Sequence, residues 1–253
     1  MNSFDDNHTE GKLEAGSLTA NSPFLRWLDN FWYHHKWTVI ISAFFAVVLI
    51  MGLVQILSKE SYDVSMTYGG RYRMDDEERA DFEALLNAVC PDDYDGDGSK
   101  RVQYMIYEIF SDAEILQAKA EAESAGSDFV FNAKYNTDEF ENFTAFAGTG
   151  ECSVYFLSPY LYEVLKASDR IRPVAELYKG QVLPQGVLED GYGVALKDTD
   201  FYENHSAAQV LPEDTVVCLL RSTVWNASGE RKEAYARAEA LFRAIVDFSV
   251  MDE

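Results

Sequence analysis

Charged residues vanish from the chain at Trp37 and return only at Lys59, after the apolar run WTVIISAFFAVVLIMGLVQIL (37–57). A helix of that length crosses a hydrocarbon core of roughly 30 Å. A buried core helix seldom runs so far without a polar face. Trp32, Tyr33, His34, His35, Lys36 and Trp37 form an aromatic and basic collar at its start, the composition of a membrane interface. The run begins deep in the chain and no small-residue cleavage pattern follows it, so the pattern predicts an uncleaved signal anchor rather than a removable signal peptide. Ahead of it, Ser22-Pro23 opens a stretch in which Phe24, Leu25, Leu28 and Phe31 follow helical spacing. This predicts an amphipathic juxtamembrane segment over 23–36 that lies in the interface. Residues 1–22 are polar and rich in Gly, Ser and Asn, and are expected to be a disordered cytoplasmic tail.

Beyond the span the period switches repeatedly between two and 3.6. Tyr62–Tyr68 alternates and predicts a strand ending at Gly69-Gly70. Asp75–Cys90 predicts a helix, with acids in its first turn and Phe82, Leu85, Leu86 and Val89 on one face. Arg101–Phe110 predicts a second strand. Ser111 and Glu114 make a capping box for an Ala- and Glu-rich helix. Asp128–Tyr135 alternates like a strand, Thr137–Phe146 has a helical set of Phe residues, and Gly148 and Gly150 are expected to end that helix. Cys152–Leu157 predicts a buried strand, and Pro159 opens the helix PYLYEVLKAS in its first turn. Residues 168–212 are turn-rich, with a short strand expected at Tyr192–Leu196. Thr215–Trp225 is the most apolar strand, and Arg231–Phe248 predicts a closing amphipathic helix. Strands alternating with helices predict an α/β domain over 60–253: a mixed sheet with flanking helices on both faces, preceded by one transmembrane helix.

Charge adds a second constraint. The net charge is −22. Up to residue 57 there are three Lys/Arg against five Asp/Glu, so −20 of it falls on 58–253. Nucleic acid is excluded as a partner, because a phosphate backbone demands Lys and Arg. Docking on an anionic lipid surface is disfavoured for the same reason. Lys36 abuts the apolar run and the following domain is acidic, so the N-terminus is expected in the cytoplasm and the domain outside the cell membrane. Cys90, Cys152 and Cys218 show no metal-ligand spacing, and nothing in their spacing selects a disulfide pair. All three sit in or beside apolar runs, where buried, inert thiols are expected.

The stretch TDEFENFTAFAGTGECSVYFLSPYLYEVLKASDRIRPVAEL, Thr137 to Leu177, resembles a segment of type 2 periplasmic solute-binding proteins. In that resemblance Ala147-Gly148 is a turn after a helix, Ser153–Leu157 a strand, Tyr160–Lys166 a helix and Ile171-Arg172-Pro173-Val174 a closing turn. GYGVALKD from Gly191 resembles the family's next strand, with Ala195 where proline is usual. The likeness extends loosely over 60–248 and implies a single solute-binding-protein-like lobe. It also resembles small membrane-anchored proteins of Gram-positive gut bacteria that carry such a domain. The resemblance implies extracytoplasmic binding of a small solute, in a pocket at the C-terminal ends of the strands, where open α/β sheets bind ligands. Tyr68, Gly69, Ser158, Tyr160 and Tyr192 would line it. The alternative is a structural or assembly partner in a membrane protein complex, with no small-molecule ligand.

Candidate chemistry is sparse. Four histidines are present, and His205 is alone in the outer domain, with no nucleophile, metal or phosphate-loop motif around it. A non-catalytic protein is expected. The stretch PDDYDGDGSK (91–100) matches half of a calcium loop. Asp93, Asp95 and Asp97 take positions 1, 3 and 5, Gly98 the sharp turn and Ser99 the carbonyl position. Position 12, where a bidentate Glu belongs, is Tyr104, and the following residues read as a strand. The stretch is therefore a candidate structural Ca2+ clip whose last ligand comes from Asp92 or a distant acid, or an Asp/Gly turn closed by its own side chains.

Overall fold

The computed structural model describes residues 23–57, 61–223 and 228–249, and divides the chain into two compact units on either side of Ser61. The expected tail at 1–22 lies outside the described residues. The first unit is helix α1, Pro23–Leu57. One uninterrupted helix joins the expected juxtamembrane segment to the span, because Trp27, Phe31 and His35 stack at successive turns, 5.4 and 5.0 Å apart, and no proline or glycine breaks the ladder there. Within Asn30–Val54 an 18-residue window has a mean hydropathy of 2.6, so this helix is long and apolar enough to cross a membrane.

The second unit is a mixed α/β domain. Its elements are β1 (Val64–Gly70), α2 (Asp76–Val89), β2 (Val102–Glu108), α3 (Asp112–Ser124), α4 (Ala133–Thr149), β3 (Val154–Leu157), α5 (Pro159–Ala167), α6 (Val174–Tyr178), β4 (Val194–Ala195), α7 (Asp200–Asn204), β5 (Val216–Leu219) and α8 (Gly229–Val246). The sheet order is β2-β1-β3-β5-β4. The first three strands are parallel, whereas β5 runs antiparallel to both its neighbours.

Period-two alternation divides the strands between two cores. Met66, Tyr68, Val154, Phe156, Val217 and Leu219 face Phe82, Leu86, Leu241, Phe242 and Ile245 of α2 and α8. Tyr155, Leu157, Val216 and Cys218 face Phe143 and Ala147 of α4 and Leu161, Tyr162 and Leu165 of α5. Both faces of the sheet are therefore covered by helices.

Local chemistry sets the boundaries. Asp75 and Glu78 form a capping box on α2, and Ser111 and Glu114 form the expected one on α3. Ser158 caps α5 with Pro159 at its first position.

Four expectations are corrected. Asp128–Tyr135 is not a strand: Asn132 caps α4, and Phe129 and Phe131 alternate because both pack on Phe110. Ala147-Gly148 is not a turn. The helix continues to Thr149 and ends at Gly150, which takes the left-handed conformation a C-cap needs (φ 72°). The strand expected over Thr215–Trp225 forms a ladder at Val216–Leu219, the length its partner β3 offers, with one further bridge from Leu220 to Ile171, and Trp225 lies outside the described residues. The strand expected over Tyr192–Leu196 shrinks to Val194–Ala195, because Leu196–Asp198 winds into a 3-10 turn.

Gly69 leaves no room for a side chain. A Cβ there would stand 2.9 Å from Leu161 Cδ1 and 3.1 Å from Phe143 Cε2, both wholly buried. Gly69→Ala is expected to cost about 1–3 kcal/mol through overpacking, read as a fall of several degrees in the melting midpoint.

Candidate functional site

In an open α/β sheet the ligand crevice lies beyond the carboxyl ends of the strands, where the strand order reverses. Here that place is between β1 and β3. Tyr68, Gly69 and Ser158 do converge on it, and each is used up in holding it shut. The Ser158 amide donates to Gly69 O at 2.8 Å, bridging the two strand ends. The Ser158 hydroxyl caps α5. Tyr68 is buried, with its hydroxyl accepting from the Tyr72 amide at 3.2 Å, and burial raises its pKa far above the ordinary phenol value. Leu161 and Phe143 fill the space over Gly69. The crevice is plugged by the core.

The accessible surface is displaced toward β2. Phe110 follows β2 and meets Phe129 and Phe131, which stack on each other at 6.1 Å. These rings, with Arg73, Glu108, Val130, Tyr135 and Asn136, line an open notch of about 210 Å³. Val130 is 90% exposed. A second depression of similar volume shares Phe110 and Asn136 and continues to Phe140 and Tyr160, whose rings stack at 6.2 Å. Of the five residues expected to line a ligand pocket, Tyr160 lines this open surface. The edge is held by Asn136. Its Oδ1 accepts from the Phe110 amide at 2.8 Å and its Nδ2 donates to Phe110 O at 3.0 Å, so α4 grips the end of β2. The ring cluster escaped the sequence reading because Phe129 and Phe131 look like strand residues. The signal that could have found it was the aromatic pair directly before a helix-capping Asn.

Tyr192 sits elsewhere, in a turn pinned by Asp190. That carboxylate accepts from the Tyr192 amide at 3.1 Å, from the Tyr162 hydroxyl at 2.8 Å and from Lys166 Nζ at 2.7 Å. Partial burial alone would raise its pKa, but these donors outweigh it and hold the group below the usual carboxylate range. His205 is packed between Phe201 and Phe248 and donates from Nδ1 to Phe201 O at 2.8 Å. The three cysteines are free and buried, and burial pushes the Cys152 thiol up to about 12, so it is inert as a nucleophile.

The acidic loop is organised from outside itself. Asp63, at the approach to β1, is buried and accepts from the amides of Tyr94 (2.5 Å) and Asp95 (3.2 Å) through Oδ1, and of Arg101 (2.9 Å) through Oδ2. Asp93 accepts from the Gly96 and Gly98 amides at 2.8 and 2.7 Å. The carboxylates of Asp63, Asp93 and Asp95 lie within 4.8 Å of one another. Asp97 stays apart: its Oδ2 lies 3.6 Å from Arg101 and its Oδ1 accepts from the Ser99 amide. The group suits a hard cation in kind but not in number, since calcium takes six to eight oxygens. The acid that joins Asp93 and Asp95 from outside the loop is Asp63, which no local pattern could have named.

The chain matches no known protein family, no curated protein and no solved structure.

Removing Asp63 strands three amides. Asp63→Ala is expected to cost about 3 kcal/mol with EDTA present, measured by chemical denaturation. A calcium titration followed by thermal shift separates the cation from the amide clamp. A rise at millimolar calcium that Asp95→Ala removes is the signature of occupation, and a flat curve assigns the loop to amides alone. Asp95 bonds to the Ser61 hydroxyl and the Asp97 amide, which hold its pKa below the ordinary carboxylate value. Its contribution is therefore present above about pH 4 and lost only as pH falls through the lowered value, so the thermal midpoint gained from this loop should fall only in that acid range.

Proposed function

We propose that this chain is a membrane-anchored, non-catalytic binding domain. Its N-terminus lies in the cytoplasm, α1 is the anchor and the acidic α/β domain lies outside. The observation that carries the reading is the half-buried aromatic surface from Phe129 to Tyr160, with Val130, Tyr135 and Tyr160 exposed on it, at the end of the sheet where open α/β folds recognise their ligands. A contiguous accessible apolar patch marks an interaction surface or a ligand groove. The order of helix, strand and helix over α4, β3 and α5 supports the kinship with one lobe of a solute-binding protein, although the helix ends at Gly150 rather than at Ala147-Gly148.

Of the two occupants, a protein partner in a membrane complex is favoured over a small solute. Pockets that enclose small ligands run to roughly 300–1,000 Å³. The two depressions here are shallower, at about 210 Å³ each, and both open to solvent. The crevice that would enclose a solute is filled by Leu161 and Phe143.

Two substitutions test this. Val182 is 92% exposed and the native thiols are buried, so Val182→Cys supplies a single labelling site. In intact cells a membrane-impermeant maleimide is expected to label it; labelling only after lysis would reverse the topology. A photo-crosslinking amino acid in place of Val130 is expected to capture a discrete protein in membranes, and the same group at Val182 is not. Equal capture at both positions, or none at Val130, would remove the surface from the reading.

A further inference from the structure

We propose that the outer edge of β2 and the aromatic notch at its end together bind an extended, basic segment of a partner protein. The segment adds as a sixth strand, and one of its lysine or arginine side chains enters the notch. This rests on the binding-domain reading above and names the partner's chemistry.

The two edges of the sheet are treated differently. β4 is two residues long and its free side is bridged by Val187. β2 is seven residues long, stands last in the strand order, and no strand or bridge pairs with its outer side among the described residues. Folded proteins usually guard such an edge with lysine, proline, a bulge or an inward charge. From Val102 to Tyr107 the sequence is VQYMIY, with no proline and no charge. A long unguarded edge is a template for strand addition, in which main-chain bonds give affinity and side-chain pockets give selectivity.

The pocket lies where the edge ends. Glu108 closes β2 and lines the notch beside Phe110, Phe129, Phe131 and Tyr135. Glu139, one turn along α4 from Tyr135, interacts with the same phenol and with Glu108, and burial together with Glu108 raises its pKa. Neither glutamate has an ion-pair partner among the described residues. Arg73 is the one cation among the residues that line the notch, Glu108 is its one carboxylate, and Glu139 adds a second carboxylate beside it through Tyr135 and Glu108. Aromatic faces framed by unpaired carboxylates attract a cation. The domain's net charge of −20 draws a basic partner toward that face and opposes pairing with a second copy of this acidic chain.

The test uses the full chain in zwitterionic detergent micelles and fluorescence anisotropy with three dye-labelled peptides: (Val-Lys)4, (Val-Glu)4, and (Val-Lys)4 methylated on alternate backbone nitrogens. The lysine peptide is expected to bind, more weakly as salt rises, with the glutamate peptide failing. Backbone methylation, which removes strand hydrogen bonds but no charge, and Glu108→Lys are each expected to weaken binding about tenfold or more. Glu139→Lys is the second variant should Glu108→Lys not fold. Equal binding of the methylated peptide, indifference to both charge reversals, or a dimer in light scattering that masks β2 would each overturn the proposal. Failure of the peptide while Val130 still crosslinks a partner in membranes would overturn this inference alone, and loss of both would overturn the binding reading too.

Discussion

Strand β3 is the member against which the rest of the domain is built. Val154, Tyr155, Phe156 and Leu157 have no solvent exposure at all. Alternate side chains enter opposite cores, so one four-residue strand is shared between the α2/α8 layer and the α4/α5 layer. Fully burying a side chain of this size contributes about 1.5–3 kcal/mol, and here each contribution is drawn from a different face. The strand also joins the two directions of the sheet, parallel to β1 and antiparallel to β5. A doubly wound sheet of order 2-1-3-4-5 would place β4 beside β3. In this domain β5 takes that place, and β4 is pushed to the far edge, where only two residues pair.

The same packing explains why the open surface is not at the switch point. With β3 buried on both sides, α5 must descend closely onto its end, and Leu161 lands on Gly69. The glycine permits the approach, and the approach closes the crevice. Recognition is then left to the neighbouring strand end, where α3 has no buried residue and the segment before α4 carries Phe129 and Phe131 against Phe110. Asn136 holds this arrangement by satisfying both backbone groups of Phe110, which would otherwise lie partly buried without partners.

The acidic loop follows another logic. Its carboxylates accept backbone amides, so the turn between α2 and β2 is closed by charge-assisted bonds, while Tyr94 packs the loop against the α2/α8 core. Asp63 draws the loop onto the start of β1 and its own amide donates to Arg101 O at 2.9 Å, which aligns β2 with β1. Lys100 adds a cation at the loop's base, donating to the carbonyls of Cys90 and Pro91. The register of the edge strand is thus secured at its N-terminal end by Asp63 and at its C-terminal end by Asn136.

By itself the sequence determined whatever depends on near neighbours along the chain. The apolar run from Trp37, the Ser111 capping box, the Pro159 helix start and the alternation of Val154–Leu157 are local patterns, and each element stands within a few residues of its expected place. The box at Asp75 and Glu78 is a local pattern of the same kind. What the tertiary structure decided depends on groups far apart in sequence. Tyr68, Gly69 and Ser158 were expected to line a pocket, and whether that space is open or filled rests on Leu161 and Phe143, which no period reveals. Asp63 meets the loop some thirty residues later, at a distance set by the pairing of β1 with β2. Phe129 and Phe131 alternate as strand residues do, yet stack on Phe110 because Asn132 starts a helix beside them. Periodicity reports which side of an element is apolar. Which surface that side meets is decided only when the chain closes on itself.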